Sequence, residues 1–316
     1  MKQIVIREIK EEDITTLAAI AFEEYQKECK FNPLILRNDI TQIRSRMEKT
    51  IRECGGFAAV SGGEAEGFIL KGYEHRAENI SNYYLPLEGY GCTGKDREKI
   101  MSLLFQKLAE ELVKEGKYHF EIKVYAHDTE IQRMFSFLQF GIECEQEICN
   151  IYEEKIDTDI IFRKLTKDEL KVRWTEVWGL TEKIIKHLTV SPVFYPSEAF
   201  TEEMYYDFFS DEATNVFVAE KDNKLIGLIE TNPDKNDFIT GNELCNNIGE
   251  VFVEEAYRGT DIAKGLFLYA NYFEKEEGTK QLWVEHGTAN PNGKRFWNKY
   301  FSAYCYTMTR DIEIRK

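Results

Sequence analysis

Val251-Phe252-Val253-Glu254-Glu255-Ala256-Tyr257-Arg258-Gly259-Thr260-Asp261-Ile262-Ala263-Lys264-Gly265-Leu266-Phe267 is the stretch on which the fold turns. An apolar β-type run enters a short loop carrying an arginine and a glycine, and that loop opens an amphipathic helix. From Ile262 the apolar residues Leu266, Phe267, Tyr269, Ala270 and Phe273 recur at helical spacing to about Glu277. Gly278 is placed to end the helix. A strand–loop–helix of this kind leaves the first N–H groups of the helix without partners and turns the positive end of its dipole to one point. Such a point suits a phosphate.

At 316 residues and 43% hydrophobic content, the chain is long enough to bury two cores. Its formal charge of −15 argues against a general nucleic-acid or anionic-membrane binder and is compatible with a cationic substrate. The seven cysteines, Cys29, Cys54, Cys92, Cys144, Cys149, Cys245 and Cys305, are odd in number and scattered, with no CxxC pair or His/Cys cluster. That is a poor disulfide framework and no zinc signature. Met1 to Arg7 has no apolar signal core, and no apolar run approaches a membrane span. The expectation is a reduced, cytoplasmic protein with no metal and neither nucleic acid nor membrane as partner.

The chain repeats itself. Ile4-Val5-Ile6-Arg7-Glu8-Ile9 is echoed 156 residues later by Ile160-Ile161-Phe162-Arg163-Lys164-Leu165, and an acidic helix start follows each. Phe57 to Val60, a turn and Gly67-Phe68-Ile69 are matched at an offset of 160 by Phe217 to Glu220, a turn and Gly227-Leu228-Ile229, so both read as hairpins. Gly116 and Gly278 close long helical patterns 162 residues apart. Three matches in register predict two copies of one fold, split between Glu153 and Thr158. Each copy reads as strand, two helices, hairpin, further strand, long helix, strand, helix and terminal hairpin. In the second copy Gln281 to Glu285 is the late strand and Asn292 to Phe301 the late helix. This order gives an α/β or α+β sheet with helices on both faces.

These residues resemble the GCN5-related N-acetyltransferase (GNAT) superfamily, and within it the tandem members with two such domains in one chain. The family's pyrophosphate loop reads Gln/Arg-x-x-Gly-x-Gly/Ala between its fourth strand and third helix. Arg258-Gly259-Thr260-Asp261-Ile262-Ala263 fits at Arg258 and Ala263 and departs at Asp261. A later Asn-x-x-Ala-x-x-aromatic stretch is similar to Asn290 through Phe296 and Trp297, with Gly293 in place of Ala. The resemblance implies an α/β (α+β) fold of two tandem acyl-CoA N-acyltransferase-like domains, 1–155 and 156–316, each with a mixed, mostly antiparallel sheet flanked by helices. It implies acetyl transfer from acetyl-CoA, as co-substrate, to a primary amine on a small molecule or peptide, by a monomer or homodimer. Val251, Phe252, Val253, Arg258, Gly259, Thr260, Asp261, Ile262, Ala263 and Asn290 are then the coenzyme-binding residues. Asp261 brings like charge toward a pyrophosphate, unless it caps the helix with its side chain turned to the N–H groups.

The first half reads as degenerate. At an offset of 162, Asp96 stands for Arg258, Arg97 for Gly259, Met101 for Ala263, Asp128 for Asn290 and Phe135 for Trp297. The glycine-rich Gly89 to Lys95 reads as a turn. This domain is expected to shape structure or substrate rather than react.

The transfer needs a base for an amine of pKa near ~10. Glu250, directly before the fourth-strand segment, is the first candidate, with a solvated strand-end glutamate as its plain alternative; Glu285 and His286 are reserves. Trp297 stands where the family often has a tyrosine acid, and an indole N–H does not release a proton usefully. Tyr300, a turn further on, is the substitute, or it packs with Phe296, Trp297 and Phe301 as a core stripe. Tyr304 and Tyr306 on the next strand stay open. Leu188 to Pro196 reads as a cover over the acceptor or as an ordinary surface loop. The alternative from another class is a non-catalytic acyl-CoA-binding sensor or scaffold; an aminoacyl- or other acyl-transferring relative is the third reading.

Overall fold

The computed structural model describes residues 3–77, 80–154, 158–195 and 200–313. Lys155 and Ile156, where the repeat places its seam, and Pro196 of the expected cover lie outside them. By packing the chain forms two units: Met1–Gln146 with Asp237–Ile239 and Ser302–Lys316, and Glu147–Asn236 with Thr240–Phe301. The terminal segment thus goes with the first unit, although the repeat assigns it to the second half.

In the first unit, β1 (Ile4–Glu8), β2 (Gly56–Ser61), β3 (Glu64–Leu70) and β6 (Tyr90–Cys92) form an antiparallel sheet in that order. A further hairpin, β4 (Tyr73–Ala77) with β5 (Ile80–Leu85), pairs parallel with β7 (His119–Tyr125). β14 (Ser302–Asp311) lies antiparallel on β7. The helices are α1 (Ile14–Phe31), α2 (Ile40–Cys54), α3 (Arg97–Lys114) and α4 (Thr129–Phe137), and β8 (Gly141–Asn150) ends the half.

The second unit carries β9 (Ile161–Lys164), β10 (Asn215–Lys221), β11 (Lys224–Asn232), β12 (Cys245–Val253) and β13 (Gln281–Gly287), adjacent in that order. Its helices are α5 (Lys167–Val172), α6 (Trp174–Thr189), α7 (Glu202–Ser210), α8 (Ile262–Glu276) and α9 (Pro291–Trp297). The period-2 alternation of β10 and β11 splits the core. Val216, Val218, Leu225 and Leu228 join Leu170, Val177, Leu180 and Phe209 on one face. Phe217, Ala219, Ile226 and Ile229 join Leu266, Phe267, Ala270 and Trp297 on the other. The sheet therefore has helices on both faces, as the element order predicts.

The two copies share their irregularities. In β2–β3 the register slips after Ala59↔Gly67 to Val60↔Ala65. In β10–β11 it slips after Ala219↔Gly227 to Glu220↔Leu225. Both long helices end alike. Gly116 at φ +81° and Gly278 at φ +93° follow the last turn, and Lys117 and Thr279 donate back to Leu112 O and Glu274 O at 2.9 and 3.0 Å. This is a left-handed C-terminal cap that glycine adopts without strain.

Three local expectations are corrected. Each half ends on one long strand, β8 or β14, and not on a hairpin. In the glycine-rich segment Tyr90-Gly91-Cys92 is strand β6, where a Cβ on Gly91 would lie 2.8 Å from the Ile20 side chain, so only Thr93 to Lys95 turns. The late helix stops at Trp297, where the bonds tighten to three-residue steps: Lys299 N donates to Phe296 O and Tyr300 N to Trp297 O.

Gly278→Ala meets no neighbouring atom within 4 Å and pays only for the left-handed backbone. It should lower unfolding stability by about 1 to 2 kcal/mol, read from the denaturant midpoint. An unchanged midpoint would contradict the cap.

Candidate active site

The strand–loop–helix resolves as a 3-10 turn over Glu255–Tyr257, then Arg258, Gly259 at φ +78°, Thr260 and Asp261, with α8 beginning at Ile262. The first bond into the helix runs from Gly265 N to Asp261 O at 2.7 Å. The N–H groups of Ile262, Ala263 and Lys264 thus face out of its open end. Asp261 occupies the N-cap position, exposed, and its side chain makes no capping bond. The capping reading is therefore wrong: at φ −80°, ψ 9° the backbone departs from the extended geometry in which a cap side chain reaches the N–H groups. Arg258 donates from Nε to Val253 O at 3.3 Å and lies over the Phe252 ring, 5.3 Å from its centroid. Among the described residues no carboxylate pairs with it. Lys264, by contrast, is bound to Glu154.

Beside this loop β12 loses its neighbour. β12 and β13 run parallel only over Cys245↔Gln281, Asn246↔Leu282 and Asn247↔Trp283. Beyond that point Ile248 to Val253 keep β11 on one side and have no strand on the other among the described residues. Val251, Phe252 and Val253 thus offer main-chain groups to an extended ligand.

Glu250 stands on this open stretch, partly buried, and accepts a hydrogen bond from Tyr205 Oη of α7 at 3.0 Å. Burial raises its carboxyl above the usual range, against the opposing pull of that tyrosine. It is not a solvated strand end. Sequence reasoning missed its neighbours. Glu230 of β11, 2% exposed, accepts from Glu250 N at 3.2 Å and from Asn232 Nδ2 at 3.1 Å. Burial, with the Glu250 charge adding to it, pushes its carboxyl up to about 8. Glu230-Thr231-Asn232 ends a strand whose residues after Lys224 are all buried, so the carboxyl is held inside the protein.

The remaining candidates scatter. Tyr300 packs against Phe267 at 4.8 Å and Phe296 at 5.4 Å between centroids, and burial raises its hydroxyl. Trp297 and Phe301 share that cluster, so the core-stripe reading describes this group. Asn290 caps α9, accepting from Gly293 N at 3.1 Å, and its Oδ1 stands 3.3 Å from His187 Nε2. His286 is buried on Glu147 at 3.1 Å, and Glu285 is exposed. Tyr304 and Tyr306 stand on β14 and belong to the first unit. In the expected cover, Tyr195 puts its hydroxyl over the end of β13, where a Cβ on Gly287 would lie 2.6 Å from it.

The corresponding place in the first unit has been rebuilt. Arg97 Nε donates to Cys92 O at 3.3 Å, the same five-residue reach that Arg258 makes to Val253 O. Arg97, not Asp96, is thus the counterpart of Arg258, and α3 starts on it directly, without the three loop residues that separate Arg258 from α8. Its guanidinium is spent on Asp128 at 2.6 and 3.1 Å, Glu24 at 3.1 Å and Glu130 at 3.2 Å. Atoms of Glu24, His127 and Asp128 lie within 4.8 Å of one another, and Arg97 supplies the cation among them. His127 holds Glu28 at 2.7 Å; burial opposes its protonation, but Glu24 and Glu28 together carry its pKa up to about 9.

Residues 182–302 match the family model of the Acetyltransferase (GNAT) family. The whole chain superposes on a GCN5-related N-acetyltransferase from Sphaerobacter thermophilus, at 14% identity, over 98% of this chain and 96% of that one, with a TM-score of 0.57. It also superposes on a fungal multi-domain GH3 β-N-acetylglucosaminidase described as having a GCN5-related glucosamine N-acetyltransferase region (14% identity, 98% of this chain, TM-score 0.54). This chain spans 38% of that protein's length. A tandem GNAT protein from the clavulanic acid biosynthesis pathway aligns over 99% of this chain at 13% identity and a TM-score of 0.49. No curated protein matches by sequence. At such identities the superpositions speak for the fold alone; it is the match over residues 182–302 that ties this stretch of the second unit to the GNAT acetyltransferase family.

Proposed function

We propose that the second unit transfers an acetyl group from acetyl-CoA to a primary amine and that the first unit binds no coenzyme. The observation that carries this is the coincidence, in one place, of an open β12 edge, an arginine without a carboxylate and the free N–H end of α8. A pantetheine arm is amide-like and can hydrogen-bond along Ile248 to Val253 as an added strand does. A pyrophosphate then meets Gly259 to Ala263 and the Arg258 guanidinium. Asp261 is exposed and turned to solvent, which lets the main chain do the binding.

Glu250 is the base in this reading. Its raised pKa brings it nearer to that of the amine it must deprotonate. As Glu250 takes the proton, directly or through a water, the amine lone pair forms the new N–C bond to the thioester carbonyl. A β12 N–H polarises the carbonyl oxygen. The C–S bond breaks, and its electron pair leaves on sulfur as a thiolate; the second proton that the nitrogen sheds to become an amide passes to solvent, from which the thiolate takes one up. A thiolate is a good leaving group, so the burial of Tyr300 and the indole at Trp297 do not block the step. Tyr195, over the end of β13, covers the acceptor side.

In the first unit Arg97 is neutralised by three carboxylates and the positions after it are wound into α3, so a pyrophosphate would have to break Arg97 away from Asp128.

Arg258→Glu should weaken CoA binding at least ~10-fold by calorimetry, whereas Asp96→Lys, exposed beside the rebuilt position, should leave it unchanged. Glu250→Gln should lower kcat about 10²- to 10⁴-fold with the KM for acetyl-CoA little altered, measured as thiol release with a panel of amines. CoA binding without turnover on any amine would favour the sensor reading instead.

A further inference from the structure

β12 carries one residue more than β11 can pair. Ile229 faces Val251 and Thr231 faces Ile248, so Glu230 stands opposite both Gly249 and Glu250. Such an extra residue leaves an N–H outside the ladder and bends its strand. Here the displaced N–H is that of Glu250, and its acceptor is the Glu230 side chain, Oε1 at 3.2 Å. The room for that carboxyl comes from Gly249, where a Cβ would lie 1.9 Å from the same oxygen. Asn232 Nδ2 holds the other oxygen and also bonds Asn247 Oδ1 at 3.2 Å, the last β12 residue that still pairs with β13.

We infer that Glu230 is a positioning residue for the acyl-transfer step: by accepting the N–H that the irregularity frees, it fixes the bend at which β12 leaves β13 and the direction in which Glu250 leaves β12. This rests on the reading of Glu250 as base. Glu230 itself has no route to substrate, being enclosed under Gly249 and Asn232. Either protonation state of its carboxyl offers the oxygen, so the hold persists through neutral pH. The titratable groups acting on it are Glu250 of β12, Asp234 after β11 and Tyr205 of α7.

The test compares Glu230→Ala, Glu230→Gln and the wild type. The Ala variant should lose about 10-fold or more in kcat with KM for acetyl-CoA unchanged, because the base is misaimed while the coenzyme loop is intact. The Gln variant, which keeps a carbonyl oxygen, should recover to within about 3-fold. Amide exchange at Glu250 should quicken about 10-fold in the Ala variant and stay near wild type in the Gln variant. The unfolded carboxyl ionises near ~4.5 and the folded one near 8, so between those values only the unfolded state releases the proton. The wild type should therefore lose stability relative to the Gln variant as pH rises from about 4.5 to about 8, and hold a constant difference above. Equal losses in the Ala and Gln variants, or unchanged kcat and Glu250 exchange in the Ala variant, overturn the inference. A wild type that turns over no amine defeats the acyl-transfer reading instead, and the exchange comparison still decides whether Glu230 holds the bend.

Discussion

One residue too many in β12 is the constraint behind the rest of the second unit. A parallel pair can open at an end only if one strand bends away, and a bend costs ladder hydrogen bonds. The irregularity opposite Glu230 confines that cost to one N–H and supplies a side-chain acceptor for it. Past Asn247↔Trp283 the strands separate, and the edge facing away from β11 is left with unsatisfied peptide groups. Exposed to water, such an edge is a hazard unless something covers it. Here it ends at the loop that leads into α8, so a ligand lying along the edge is carried toward the helix's positive end.

The two halves show how little separates an arginine free of carboxylates from one that is spent on them. Both keep the arginine and both keep its Nε bond to the strand five residues back. What differs is the neighbourhood. Arg258 has an aromatic ring beneath it and no acid beside it; Arg97 has Asp128, Glu24 and Glu130. A guanidinium held bidentate by a carboxylate that is 2% exposed gives nothing to a phosphate unless that pair is broken first, and breaking a buried pair leaves an uncompensated charge. Winding the loop positions into helix closes the same site sterically, since α3, 18 residues long against 15 for α8, starts on the arginine itself.

The duplication was legible because it rests on backbone requirements. Gly67 and Gly227 sit where the register slips, and Gly116 and Gly278 where helices end, so the glycines mark geometry directly. The loop and Glu250 were legible for the same reason: strand, turn and helix are adjacent in sequence. Four things were not. The counterpart of Arg258 was misplaced by one residue, because a constant offset has no way to register a single-residue difference between the strand and the end of the helix. Glu230, Tyr205 and Tyr195 come from β11, α7 and the segment after α6, and only tertiary packing brings the first two to Glu250. A capping role was one of two readings open to Asp261 from its residue type, and its backbone geometry withholds that one. Asn290 does cap a helix, which a sequence comparison alone reads as a ligand contact.

A net charge of −15 is ill-suited to a protein that would draw in a polyanionic coenzyme. Range resolves the conflict. At physiological ionic strength surface charges act over about 8 Å, so distant acids are screened at the loop while groups in contact are not. Around the loop, Lys264 is matched by Glu154, and only Arg258 remains without a carboxylate among the described residues. Affinity there would come from short, directed bonds rather than from the field of the whole molecule.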